Sequence, residues 1–370
     1  MLVVCVAMLA IAGLVGLASL GLRSDPPNFF LLTRQGVALA IAIVSGVIVA
    51  RMDWRIWERR WPFVAVVIGV LLLGVLVAGV RIRGTRGWLA VGGWTFQPVE
   101  LAKVGLIVLQ AAYFRRRAHS IGRLRTVLES GAITGVVALP VFLQPDAGSA
   151  ALLVITWLGM VLIFGLRRVH AVLIAVTAVL GILIAWQFLL HPYQRERIRT
   201  FLDPHRDPQG AGYNQRQAVI AIGAGGLLGR GFSQGTQAQL RFLPEAQSDF
   251  LPAVIGEEFG FFGIALMLAC VMGILLRCLL LARRCADDTS AALVVGVGIL
   301  FGAQAMLNLG MNLGVTPVMG IPLPFVSGGG SAMVAFGIAF GMVMSVARHA
   351  PRATPHAYTL DVGGSIAAAP

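Results

Sequence analysis

Charge is what this sequence has least of. Only 12% of its 370 residues are charged, and Lys103 is the sole lysine. That is about half the charged share of an ordinary soluble domain, too little to clothe a water-facing surface of this size. The mean hydropathy of +0.84 points the same way. As classes for the whole chain, a soluble enzyme, a disordered tail and a collagen-like fibre are excluded. Cysteine is scarce as well: Cys5, Cys270, Cys278 and Cys285 lie in or beside apolar segments, without paired spacing. This argues against a disulfide framework and a zinc site. The first apolar segment lacks a basic stretch before it and an evident cleavage site, so it reads as a retained span rather than a signal peptide.

What the chain has in abundance is apolar sequence, 58% by the broad count. A span needs about 20 such residues, and the pattern predicts an all-α polytopic membrane protein of about ten transmembrane helices. They are expected at roughly 2–21, 34–50, 62–80, 98–114, 127–143, 148–166, 169–190, 250–281, 290–311 and 331–347. Residues 1–348 read as one integral membrane domain and 349–370, rich in Ala, Gly and Pro, as a disordered cytoplasmic tail. The formal charge of +13 comes almost entirely from arginines between the apolar segments, a placement that suits topology and anionic membrane lipids rather than nucleic acid. Sixteen arginines fall in the loops after helices two, four, six and eight and in the tail; five fall in the short loops of the other side. The positive-inside rule then puts both termini in the cytoplasm.

One connection, residues 191–249, is far longer than the rest and is expected on the outer side; such loops are usually functional or disordered. Its stretch Ala218–Phe232, AVIAIGAGGLLGRGF, is too apolar to lie free in water and predicts an interfacial or re-entrant piece against the bundle.

Ionisable groups at membrane depth are expensive, so each is a functional candidate. Glu100 and Lys103 follow Gln97-Pro98 at the start of the fourth helix; their i, i+3 spacing puts them on one face, either as a self-neutralising pair or as working groups. Asp146, in QPDAGS, is equally a helix N-cap. Asp249 stands where the long loop enters the eighth helix, and Glu257 and Glu258 follow two turns on, more carboxylates than capping requires. Near the end, TPVMGIPLPFVSGGGS (Thr316–Ser331) carries three prolines and cannot be a regular helix. Irregular backbone at this depth must be buried in protein or line a wet cavity. Together these describe an outward-facing cavity with carboxylates, a glycine-rich shelf and loop arginines suited to a diphosphate.

The segments Gly212-Tyr213-Asn214, AIGAGGLLGRGFSQGTQAQLRFLPEAQSDFLPAVIGEEFG (Ala221–Gly260) and Thr316–Ser331 resemble the SEDS family. Supporting matches are Arg86–Leu89, Phe96–Lys103 and Gln144–Ser149. The wording GTQAQLRFLPE is closer to its RodA-like elongation branch than to the FtsW-like division branch. The likeness covers roughly residues 35–347, with Val99 where the family usually has serine and Gly328 where it often has tyrosine.

The resemblance implies a peptidoglycan glycosyltransferase, an inverting lipid II polymerase that makes β-1,4-linked glycan strands for cell-wall elongation and rod shape. It would sit in the bacterial inner membrane, with its active site on the outer face. The family's essential aspartate falls on Asp249, which would act as general base on the acceptor 4-hydroxyl. Substrate-binding candidates are Arg86, Glu100, Lys103, Asp146, Arg197, Arg199, Arg216, Arg241, Glu257, Glu258, Ser327 and Ser331. The resemblance leaves room beside the arginines for a divalent cation, Mg or Mn, that the residues themselves do not indicate. The implied partners are lipid II and a class B penicillin-binding protein transpeptidase. Two rivals stand beside this reading: a lipid II flippase and a noncatalytic scaffold for the transpeptidase. Clustering of the polar residues at one side favours catalysis, because transport needs a relay reaching the other side.

Overall fold

The structure is a computed structural model that describes residues 1–22, 26–82, 84–117, 123–165, 168–189, 192–203, 211–239, 242–243 and 245–350. It is a helical membrane protein. Among the described residues, eight helices are long and apolar enough to cross a bilayer: α1 (Leu2–Leu22), α2 (Phe30–Arg51), α4 (Trp61–Ala78), α6 (Leu124–Leu143), α7 (Ala147–Gly165), α12 (Leu251–Ala282), α13 (Asp288–Asn312) and α14 (Gly330–His349). A short α3 (Arg55–Arg59) precedes α4. Of the other two expected spans, one is α5 (Pro98–Arg116), which carries Glu100 and Lys103 and is buried along most of its length. The other is α8 (Arg168–Ile184), continued by a π turn over Ala185–Leu189.

The architecture is not purely helical. Between α4 and α5 lies a three-stranded antiparallel sheet, β1 (Val80–Ile82), β2 (Thr85–Val91) and β3 (Trp94–Phe96). Its second turn is Gly92-Gly93, both with positive φ, closing a two-residue hairpin in which Val91 pairs with Trp94. Glycine is favoured there because such turns require left-handed backbone. A sheet this small is held by its neighbours rather than by itself: the Arg86 amide donates to the Gln144 carbonyl at 3.2 Å.

The long connection is largely helical, with α9 (Pro192–Leu202), α10 (Ala211–Gly225) and α11 (Thr236–Gln239). Helix α10 lies along α12, and the glycine-rich run that follows it docks on a break in that helix. At Gly260 the backbone turns to φ 63°, ψ −153°, which interrupts the i to i−4 ladder. The Phe261 amide then donates to the Gly226 carbonyl at 2.8 Å, while the Arg230 and Gly231 amides donate to the freed carbonyls of Glu257 and Glu258, each at 3.0 Å. Buried backbone groups released by the kink are thereby satisfied from outside the helix. So close an approach needs glycine: a Cβ on Gly229 would lie 2.1 Å from the Glu258 carbonyl oxygen, at φ +82°.

This contact carries a prediction. Gly229→Ala combines left-handed strain with backbone overlap and should cost on the order of 2–4 kcal/mol. Gly223→Ala on α10, with nothing within 4 Å, should leave stability unchanged or raised. Thermal unfolding of the two variants in detergent checks this; equal midpoints would refute the docking.

Candidate active site

Helix α13 supplies the scaffold. Gln304, Asn308 and Asn312 recur every fourth residue, so they share one face, and all three are buried. An amide inside an apolar bundle must find partners, and these find main chain. Gln304 Nε2 donates to the Pro322 carbonyl at 3.0 Å. Asn308 Nδ2 donates to the carbonyls of Ile321 at 2.7 Å and Asp249 at 3.1 Å. Asn312 Nδ2 donates to the same Asp249 carbonyl at 3.1 Å. One polar stripe thus pins both the irregular loop before α14 and the residue expected to do chemistry.

That loop keeps its shape against local preference. Phe325 has φ 66°, unusual for a bulky residue, and its ring stacks 5.8 Å from Phe340 in a cluster with Phe336 and Phe301. The Gly328 amide donates to the Gln247 carbonyl at 2.9 Å. A Cβ on Gly328 would come 2.5 Å from that oxygen, so glycine at this position lets the two loops touch.

Asp249 and Asp146 line one cavity of about 360 Å³ together with Arg34, Arg197, Gln97, Gln247 and Ser331. Trp88, Thr85 and Thr95 come from the small sheet, while Leu17, Leu31 and Pro322 give an apolar side. Asp249 is 8% exposed. It is buried among its neighbours but lines the cavity. A Cβ on Gly320 would lie 3.7 Å from Asp249 Oδ2 and 4.0 Å from Arg197 Nη1, so carboxylate and guanidinium flank the same point of the glycine-rich shelf. Arg197 is carried there by α9, which Gln194 ties to the Pro145 carbonyl at 3.4 Å.

Asp146 does two things at once. Its Oδ1 accepts the Ser149 amide at 3.0 Å, capping α7, and its Oδ2 accepts from Gln97 Nε2 at 3.2 Å. Ser331 Oγ accepts the Gln97 amide at 2.9 Å, joining the starts of α5 and α14 at the cavity wall. Glu100 and Lys103 sit behind that wall, 2% and 1% exposed. Lys103 Nζ donates to Glu100 Oε1 at 2.7 Å and to Gln304 Oε1 at 2.8 Å, so the ammonium is linked to the cavity wall through Gln304 and Pro322.

Other candidates lie apart from the cavity. Arg86 donates to the carbonyls of Gly79 and Val77 at 3.0 and 2.9 Å, capping α4. Arg199 stacks on Trp186 at 5.8 Å, beside Glu196. Arg216 is on α10, outside the cavity lining. Glu257 is fully buried beneath the glycine-rich run, accepting from Thr236 Oγ1 and the Gln237 amide. Glu258 accepts from Ser19 of α1. Ser327 Oγ accepts the Leu323 amide within its own loop. Arg241 lies outside the described residues. Conversely, Arg34, one of the five arginines assigned to the short loops of the outer side, lines the cavity and donates to Thr95 Oγ1 at 2.6 Å. The signal was present: an arginine in the first turns of an apolar helix is costly without a role. Among the described residues no three His, Cys, Asp or Glu side chains form a set that could hold a metal ion.

The cavity combines two carboxylates, two guanidiniums, an aromatic ring and several amides beside an apolar side. It can accept a proton, stabilise an anion and hold a polyhydroxylated group next to a greasy one. The family described as cell cycle protein, FtsW/RodA/SpoVE, matches residues 1–352. Peptidoglycan glycosyltransferase MrdB of Escherichia coli K12 is 34% identical over 354 residues, 94% of this chain and 93% of that protein. A chain from a structure described as the structural coordination of polymerization and crosslinking by a peptidoglycan synthase complex aligns with TM-score 0.79 and 31% identity, covering 94% of this chain and 96% of that one. The rod shape determining protein RodA of Thermus thermophilus aligns with TM-score 0.70 and 28% identity, covering 94% and 95%.

Proposed function

Because the chain belongs to the FtsW/RodA/SpoVE family of cell cycle proteins, we propose that Asp249 is the general base of its glycan polymerisation and Arg197 the stabiliser of its leaving group. The protein is a multi-pass membrane enzyme, a peptidoglycan glycosyltransferase, like the relatives it matches along nearly their whole length. Lipid II is the substrate that activity implies. In the mechanism, Asp249 takes the proton from the acceptor sugar's 4-hydroxyl as that oxygen attacks the donor's anomeric carbon. The C–O bond to the diphosphate breaks on the opposite face, which inverts the centre. The departing diphosphate takes up negative charge, and a guanidinium held beside the shelf meets it without reorganising. Trp88 and the amides of Gln97 and Gln247 offer an aromatic face and hydrogen bonds to the sugars, and the apolar side of the cavity suits the start of a prenyl tail.

The observation that carries this reading is the joint position of Asp249 Oδ2 and Arg197 Nη1 about Gly320. It separates Arg197 from Arg199, two residues away on the same helix and facing Trp186. Arg197→Ala is expected to lower the polymerisation rate at saturating lipid II by about 10²-fold, the loss typical of one electrostatic stabiliser. Arg199→Ala should lower it less than about threefold, as for an exposed ion pair. The check is glycan-strand length and rate with purified protein, its crosslinking partner and lipid II; equal effects would refute the assignment. We further place the active site on the outer face of the inner membrane, both termini in the cytoplasm, and the crosslinking partner as a class B penicillin-binding protein. The arginine bias supports the first two placements, and the kinship to a polymerising and crosslinking complex supports the third.

A further inference from the structure

Away from the active site, α4, α5 and α6 enclose a second cavity of about 440 Å³. Its walls are aliphatic, from Ile68 and Leu72 to Val137, and the described side chains do not fill it. Gly69 opens one wall, since a Cβ there would meet nothing within 4 Å. Pro140, inside α6, lines the opposite wall; proline at an interior position removes a ladder bond and bends a helix. Along α4 the cavity runs from Trp61 to Leu73, about 18 Å at helical rise. That is a little over half the ~30 Å hydrocarbon core, the reach of one leaflet.

The polar end of this groove is on the arginine-rich side. Trp61 and Tyr113 stand at its mouth, the residue types that settle at membrane interfaces. The Arg116 guanidinium lies 4.9 Å over the Trp61 ring. Neighbouring arginines have carboxylate partners: Arg115 pairs with Glu58, and Arg117 and Arg125 share Glu129. Arg116, which lines the groove, meets no carboxylate among the described residues. A leaflet-deep apolar slot ending in an uncompensated guanidinium matches a lipid with an acyl chain and a negative head group. We infer that this groove binds an anionic phospholipid of the cytoplasmic leaflet, its phosphate on Arg116 and one acyl chain between α4 and α6. A substrate tail is disfavoured because the charged end of the groove is opposite the side where Asp249 lies.

The test is native mass spectrometry of the full-length protein, equilibrated in detergent with phosphatidylglycerol or phosphatidylcholine of matched chains. Phosphatidylglycerol should be retained preferentially. Arg116→Gln, an exposed position, should cut that retention about fivefold and leave phosphatidylcholine unchanged. Gly69→Leu, which projects into the slot, should reduce both lipids. Equal retention of the two lipids by the unmodified protein, or no effect of Arg116→Gln, would overturn the inference. So would displacement of phosphatidylglycerol by an equimolar amount of undecaprenyl phosphate, which would assign the groove to a prenyl chain.

Discussion

Asp249→Asn should reduce glycan polymerisation by about 10²–10⁴-fold, the contribution of a positioned general base, while the protein remains folded. The separation of the two effects follows from how the residue is held. Asn308 and Asn312 bind its backbone carbonyl, and Gly328 binds the Gln247 carbonyl two residues earlier. None of these bonds uses the carboxylate. Asparagine keeps the size and the main-chain contacts but cannot take the acceptor's proton at neutral pH. The measurement is strand formation from lipid II with the crosslinking partner present, alongside the thermal midpoint of the variant. Strands of ordinary amount and length from a well-folded Asp249→Asn protein would remove the site assignment. The experiment thus tests the role of this carboxylate in the polymerisation, separately from its place in the fold.

Much of the fold is legible in the chain because the bilayer imposes a simple rule on it. The expected spans 250–281, 290–311 and 331–347 are α12, α13 and α14 to within two residues at each end, since each is a long apolar run bounded by charge, proline or glycine. The sheet does not stand out from the apolar pattern, although Gly92-Gly93 separates two short runs of strand-forming residues, a hairpin signal by itself; strands of three to seven residues are far shorter than the 20-residue runs that mark spans. The break at Gly260 was invisible for another reason. A glycine inside an apolar helix says nothing of its φ until a second segment, here Gly226–Gly231, is seen to take over its hydrogen bonds. Asp249 was legible from its place at a helix entrance. Its company was legible only in part: Asp146 and Arg197 stand among the candidates and Arg34 does not, and packing is what brings the three together from three other elements. Glu257 and Glu258 show the converse, since buried carboxylates on the same helix are spent on holding the docked loop and α1 rather than on the cavity.

The last expectation concerns the buried pair behind the wall. Lys103→Ala should destabilise the protein by about 3–5 kcal/mol, because Glu100 would be left charged and buried without its cation. Glu100 Oε2 already has no hydrogen-bond partner, so nothing nearby can compensate. Loss of activity in that variant would therefore say little about chemistry. The informative protein is the double variant Glu100→Gln with Lys103→Met, which removes both charges at similar volume; such replacements are often neutral, and its thermal midpoint should return to near that of the parent. Polymerisation should not return with it. Lys103 Nζ fixes the carbonyl end of the Gln304 amide, and the other end of that amide holds the Pro322 carbonyl at the cavity wall. Without the ammonium the amide is free to turn, the shelf loses its register with Asp249, and a misplacement well below 1 Å is enough for about a tenfold loss. A stable double variant with full polymerising activity would instead show that the pair only holds α5 against α13.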